Sequence, residues 1–145
     1  MFVTNPIAII GEKEAAKLLE KKGFRIVERN WRMGHLEVDL IAESRQEIVF
    51  AEVKARTSTF ANKRPEDYVD TTKKRHMVTA ANAYIKYKQI EKQPRFDIIG
   101  ILIHPKTNEI IYSNHIEKAF LPPLRTITGG SYSGKWRWTS RNKKK

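Results

Sequence analysis

Apolar residues recur along this chain first at helical and then at strand spacing. Ile7, Ile10, Ala15, Leu18 and Leu19 follow the period of an amphipathic helix, entered through Thr4-Asn5-Pro6 and stopped at Lys22-Gly23. Residues 24–31, carrying Phe24, Ile26 and Val27, read as a first strand that ends at Met33-Gly34. Leu36, Val38, Leu40 and Ala42 then alternate with Glu37, Asp39, Ile41 and Glu43, the period of a second strand. Beyond the polar break Ser44-Arg45-Gln46, residues 47–55 form a third strand, and the short separation predicts an antiparallel hairpin. Residues 57–64 lack periodicity and read as a loop, after which Pro65-Glu66 opens a turn. Met77, Ala80, Ala81, Tyr84 and Ile85 give a second, long helix its apolar face, and that helix must end before Pro94. The nearly all-apolar run 96–103 suits a buried strand, and residues 105–108 turn into a last strand around 109–113. The order αβββαββ predicts a layered α/β or α+β domain.

Composition narrows what such a domain does. Its 145 residues, 40% hydrophobic with mean hydropathy -0.57, suffice for one core. No run approaches the roughly 18 apolar residues of a spanning helix, and the apolar patch 7–10 lacks the flanks of a signal peptide, so no membrane partner is expected and cytoplasm is the expected compartment. The absence of cysteine excludes disulfides, thiolate zinc sites and cysteine nucleophiles. A net charge of +12 and a pI near 10.0 point to a polyanion, above all nucleic acid, without choosing between DNA and RNA. Residues 125–145 hold glycine, serine, no acidic residue and seven of the 28 Lys and Arg. They are predicted to be a flexible basic tail on a domain spanning residues 1–124.

Charges that interrupt the apolar strands carry the chemistry. In Glu52-Val53-Lys54 the carboxylate and the amine share one strand face, which is either an ion pair at an exposed strand end or half of a site. A turn centred near Ser44 and Arg45 puts Asp39 opposite about position 50, one diagonal step from Glu52. Two carboxylates on adjacent strands repel unless a cation lies between them. Oxygen ligands of this kind suit Mg²⁺, or Mn²⁺, which polarises a phosphate and lowers the pKa of a bound water. Lys54 then orients the water or stabilises charge developing on phosphorus, so the chemistry is phosphodiester hydrolysis. Glu37 is a second-choice ligand. Lys73, Lys74 and Arg75 open the second helix as a phosphate clamp or as a solvated basic face. In the tail, Trp136 and Trp138, set among Lys135, Arg137 and Arg141, are candidates for stacking on bases, whereas Trp31 reads as core. The four histidines have no metal-site spacing, and Asp97 caps a strand or pairs with Arg95.

Gly11-Glu12, residues 28–32 (ERNWR), 37–42 (EVDLIA), 49–54 (VFAEVK) and 95–97 (RFD) together resemble the YraN-like family, uncharacterised bacterial proteins related to the restriction-endonuclease superfamily. The resemblance covers about residues 5–124. It implies a restriction-endonuclease-like PD-(D/E)xK core, a mixed sheet of about five strands flanked by helices, similar to that of archaeal Holliday-junction resolvases. The motif aspartate falls on Asp39, its glutamate on Glu52 and its lysine on Lys54. The helical glutamate that joins the metal site in resolvase-like members falls on Glu12, which helical spacing places on the face of Ala16 and Leu19. Val38 stands where the pattern has proline, and His35-Leu36 separates Gly34 from Glu37, which alters the local turn. The implied function is a Mg²⁺-dependent endonuclease acting on DNA, with branched DNA among its candidate substrates. A non-catalytic module that keeps the fold and binds DNA or RNA is the alternative. Resolvase-like relatives work as dimers, so a homodimer is also implied, although no residue pattern marks a dimer surface.

Overall fold

The computed structural model describes residues 5–58 and 63–122; Lys135, Trp136, Arg137 and Trp138 lie outside the described residues. Helix α1 (Pro6–Lys21) begins where Asn5 accepts the Ile7 N–H at 3.0 Å, with Pro6 in the first turn, where its missing N–H costs nothing. Strands β1 (Arg25–Met33), β2 (Leu36–Glu43) and β3 (Glu47–Thr57) form an antiparallel meander. A 3-10 turn over Pro65–Tyr68 leads into α2 (Thr71–Lys88), whose cap Asp70 accepts the Lys73 N–H. Gln89, left-handed at φ 55°, ends α2. Strand β4 (Gln93–Ile103) then pairs parallel with β3, and β5 (Ile110–Ile116) returns antiparallel to β4. The five strands lie in sequence order in one mixed sheet flanked by two helices, the fold expected from αβββαββ.

Strand ends differ from their expectations, most at β4 and β5, while β3 runs on to Thr57 past the expected 55. β4 starts at Gln93 rather than at 96 because Pro94, second in the strand, sits where a missing N–H is tolerated. β5 runs to Ile116, past the expected 113, because polar Asn114 and His115 find buried partners.

Each sheet face has its own core. Val38, Ile41, Ile48, Phe50 and Phe96 pack against Met77, Ala81, Tyr84 and Ile85 of α2. On the other face Leu40, Ala42, Val49, Ala51, Ile99 and Ile101 pack against Ala15, Ala16 and Leu19 of α1. Gly11 lets α1 approach β3 closely, since a side chain there would stand 2.6 Å from the Ala55 Cβ. Val38 and Leu40, two residues apart, belong to opposite cores, so the alternation of β2 slips at Asp39. Asn30 of β1 lies between the partners of Leu40 and Val38 and therefore faces Asp39; its left-handed φ of 53° marks the same irregularity. Among the described residues no helix is long and apolar enough to cross a membrane.

Candidate active site

The site lies where β2 and β3 part. Their ladder runs from Glu43–Ile48 to Leu40–Ala51, while β1 and β2 stay paired out to Met33–Leu36 and β3 follows β4 to Thr57. A fork opens between the β1–β2 hairpin and the outer half of β3. The last ladder pair sets Asp39 alongside Glu52 itself rather than position 50. The turn is one residue later than expected, because the Ser44 hydroxyl accepts the N–H groups of Gln46 and Glu47 and the Ser44 N–H donates to the Glu47 carbonyl. A shift of two positions keeps parity, so both carboxylates still share a face. Within the fork the Val53 N–H, beyond the ladder, donates to Asp39 Oδ2 at 2.8 Å.

Glu52 is 4% exposed, and its Oε1 has no hydrogen-bond partner. Lys54 Nζ stands 3.8 Å from Oε2, and Lys73 Nζ, reaching down from α2, stands 3.4 Å from Oε1. Burial, then the Asp39 charge, pushes the Glu52 carboxyl up to about 7 against the pull of both lysines. Burial likewise raises Asp39, opposed by the Val53 N–H and Lys73. Glu12 enters the fork from α1, half-buried, where Asn30 Nδ2 donates to it at 3.2 Å; burial and the Asp39 charge hold its carboxyl above the ordinary range. Glu37 adds a further negative charge to Asp39 and Glu12 and pairs with Arg32 at 3.5 Å.

The structure thus sets Asp39, Glu52 and Lys54 side by side and, of the basic trio, brings Lys73; Glu12 is near enough to feel the Asp39 charge but does not join the pair in a three-carboxylate metal group. Successive helical residues point about 100° apart, so Lys74 turns away to place its ammonium 5.6 Å from the Phe120 ring, and Arg75 faces solvent. The aromatic Trp31 packs edge-on against Tyr84 beside the core. Sequence reasoning missed Glu66, whose side chain is buried over β4. Its Oε2 accepts from the Tyr112 hydroxyl at 2.5 Å and from Asn114 at 2.9 Å, and its Oε1 rests against Gly100, the register partner of Lys54. Gly100 within an isoleucine-rich strand was the available signal of that close approach.

Asp97, wholly buried on the α1 face, is a different kind of carboxylate. Arg95 holds both its oxygens at 2.9 and 2.8 Å, the Lys118 N–H donates to Oδ1, and His115 Nε2 lies 2.6 Å from Oδ2. Lys22 Nζ stands 3.0 Å from His115 Nδ1 and can only donate, so the ring presents its proton to Asp97. Burial pushes Asp97 up, but these hydrogen bonds prevail and hold it below the ordinary range.

These features define a class: a mixed five-stranded sheet between two helices, forked around a buried and a half-buried carboxylate and two lysines. The chain belongs to uncharacterised protein family UPF0102, the YraN-like family of the resemblance, whose family model matches residues 11–101. It is 43% identical over 121 residues to a UPF0102 protein of Bacteroides thetaiotaomicron, covering 83% of this chain and 96% of that one. A UPF0102 protein of Parabacteroides distasonis is 44% identical over 115 residues, 79% of this chain and 92% of the relative. One from Caldanaerobacter subterraneus subsp. tengcongensis is 41% identical over 115 residues, 79% and 93% of the two chains.

Proposed function

We propose that this chain is a metal-dependent endonuclease of the PD-(D/E)xK type, similar to archaeal Holliday-junction resolvases, which hydrolyses phosphodiester bonds in DNA. The observation that carries the reading is the under-compensated pair Asp39–Glu52, a half-buried and a buried carboxylate with Lys54 beside them. Among the described residues no group of three or more His, Cys, Asp or Glu could hold a metal ion. Asp39 and Glu52 offer two carboxylates, and Mg²⁺ habitually takes one or two of these and completes its shell with water and substrate phosphate. Asp39 and Glu52 would hold it, with Glu12 and Glu37 adding negative charge around them.

When bound, Mg²⁺ or Mn²⁺ supplies a Lewis acid for the scissile phosphate and a water of lowered pKa. The protein supplies orientation and charge. The Val53 N–H fixes the Asp39 carboxylate within the fork. Burial of Glu52 keeps competing solvent away from its oxygens. Lys54, on the same strand face, presents an ammonium to the oxygens on which negative charge grows. The net charge of +12 favours association with a polyanion.

The test is incubation with duplex, single-stranded, flapped and four-way DNA in Mg²⁺ or Mn²⁺. Cleavage of any member, lost in Glu52→Gln, is the expected result. Binding without cleavage across the whole panel would replace this reading with the non-catalytic DNA- or RNA-binding module, which the net charge alone supports.

A further inference from the structure

Glu52 is straddled by two ammonium groups of unequal freedom. Lys54 is carried by the same strand, one alternation away, whereas Lys73 comes from the first turn of α2. The Lys73 backbone is pinned, its N–H donating to the Asp70 cap at 2.9 Å. Its side chain is partly exposed and ends 3.4 Å from Oε1, the oxygen that no hydrogen bond satisfies. Lys73 therefore meets this oxygen only at the long end of hydrogen-bond distance, on a stem with several free rotations. Of the other carboxylates nearby, Glu37 pairs with Arg32 and Glu12 accepts from the neutral Asn30 amide. Asp39 and Glu52 stand against Lys54 and Lys73, with Glu12 a third carboxylate at the edge of the fork. A divalent cation between Asp39 and Glu52 adds two positive charges beside both ammonium groups, and Lys73 is the group free to leave.

We propose that Lys73 is the resident counter-cation of the Asp39–Glu52 pair, displaced by the divalent ion and thereby released to the substrate phosphate. The inference rests on the metal-dependent nuclease reading and adds to it an internal competitor for the metal. In the metal-free protein Lys73 makes the two carboxylates compatible. In the loaded protein the same ammonium faces the phosphodiester.

The experiment is Mn²⁺ titration calorimetry at pH 8.5, without nucleic acid, on the full chain as wild type, Lys73→Met and Lys73→Arg, beside thermal melts in EDTA and in Mn²⁺. Lys73→Met is expected to bind Mn²⁺ on the order of tenfold more tightly, because a competing positive charge is gone. It melts lower than wild type in EDTA and gains more on adding Mn²⁺, while Lys73→Arg stays near wild type in all three measurements. A role confined to packing α2 would lower the melt without tightening the metal. Should Lys73→Met not fold, Lys73→Gln repeats the titration with a neutral polar head. Mn²⁺ bound equally or less tightly by the neutral variant overturns the counter-cation role and leaves the nuclease reading standing. No Mn²⁺ binding by any of the proteins overturns both.

Discussion

The Asp39–Glu52 pair, half-buried and buried, and the fully buried Asp97 lie on opposite faces of the same sheet, and they differ in how well the fold answers their charge. Asp97 accepts from Arg95, His115 and the Lys118 N–H, and its pKa falls. Glu52 keeps one orphaned oxygen, faces Asp39, and its carboxyl rises to about 7. A fully answered buried charge fixes the fold, here tying the end of α1 to β4 and β5 through Lys22 and His115. An under-answered one holds free energy in reserve for something not yet bound.

The sharpest way to break this comparison is to neutralise each carboxylate in turn. Asp97→Asn leaves Arg95 buried without its main partner and should cost about 3 to 5 kcal/mol in urea unfolding. Ordinary stability in that variant would strip the network of its structural role. Glu52→Gln should act in the opposite direction. The folded-state pKa of Glu52 lies above its ordinary 4.5, so its contribution is complete below that value and is lost as pH rises through about 7. Without divalent ions, wild type should lose roughly 3 kcal/mol between pH 4.5 and 8 from this group. Glu52→Gln should not, and so should be the more stable protein above neutrality. Parallel stability profiles for the two proteins would mean that Glu52 carries no such burden.

Lys54→Ala sharpens the functional side. On a cleaved substrate it should slow the chemical step by about a hundredfold, the scale of one preorganised electrostatic group. Melting temperature and most of the nucleic-acid affinity should survive, so a rate equal to wild type removes Lys54 from the mechanism. The smallest effect concerns charge that belongs to neither cluster. Deleting residues 125–145, with seven of the 28 basic residues, should weaken DNA binding and flatten the plot of log affinity against log salt, the core still melting cooperatively. An unchanged slope would confine the binding surface to the domain.

Much of this was legible in the chain, for identifiable reasons. Asp39 and Glu52 stood out because each breaks an apolar strand, and strand parity placed them on one face even though the Ser44 turn moved the register by two. Helix α1 was announced by Asn5, Pro6 and its apolar spacing. What the sequence could not show depended on contacts between distant elements. Lys73, Lys74 and Arg75 look alike until the pitch of α2 and its seat on β2 choose one of them. Glu66 looked like a turn residue because Gly100, Tyr112 and Asn114, which bury it, lie far along the chain. His115 has no metal-site spacing in the sequence, and only the return of β5 brings it onto Asp97.

The fork also bears on the order in which the chain folds. Its inner half joins β2 to β3 through a short turn, whereas β3 meets β4 only after the whole of α2 has intervened. Loop closure makes the first pairing quick and the second slow. The meander is therefore expected to be formed in the rate-limiting state and β4 to dock afterwards. Chevron measurements should show Ile41→Val chiefly slowing folding and Ile99→Val chiefly speeding unfolding; the reverse pattern would make β4 the nucleus. The two acids of the site would then meet before Lys73 arrives, so each molecule brings like charges together early in its assembly.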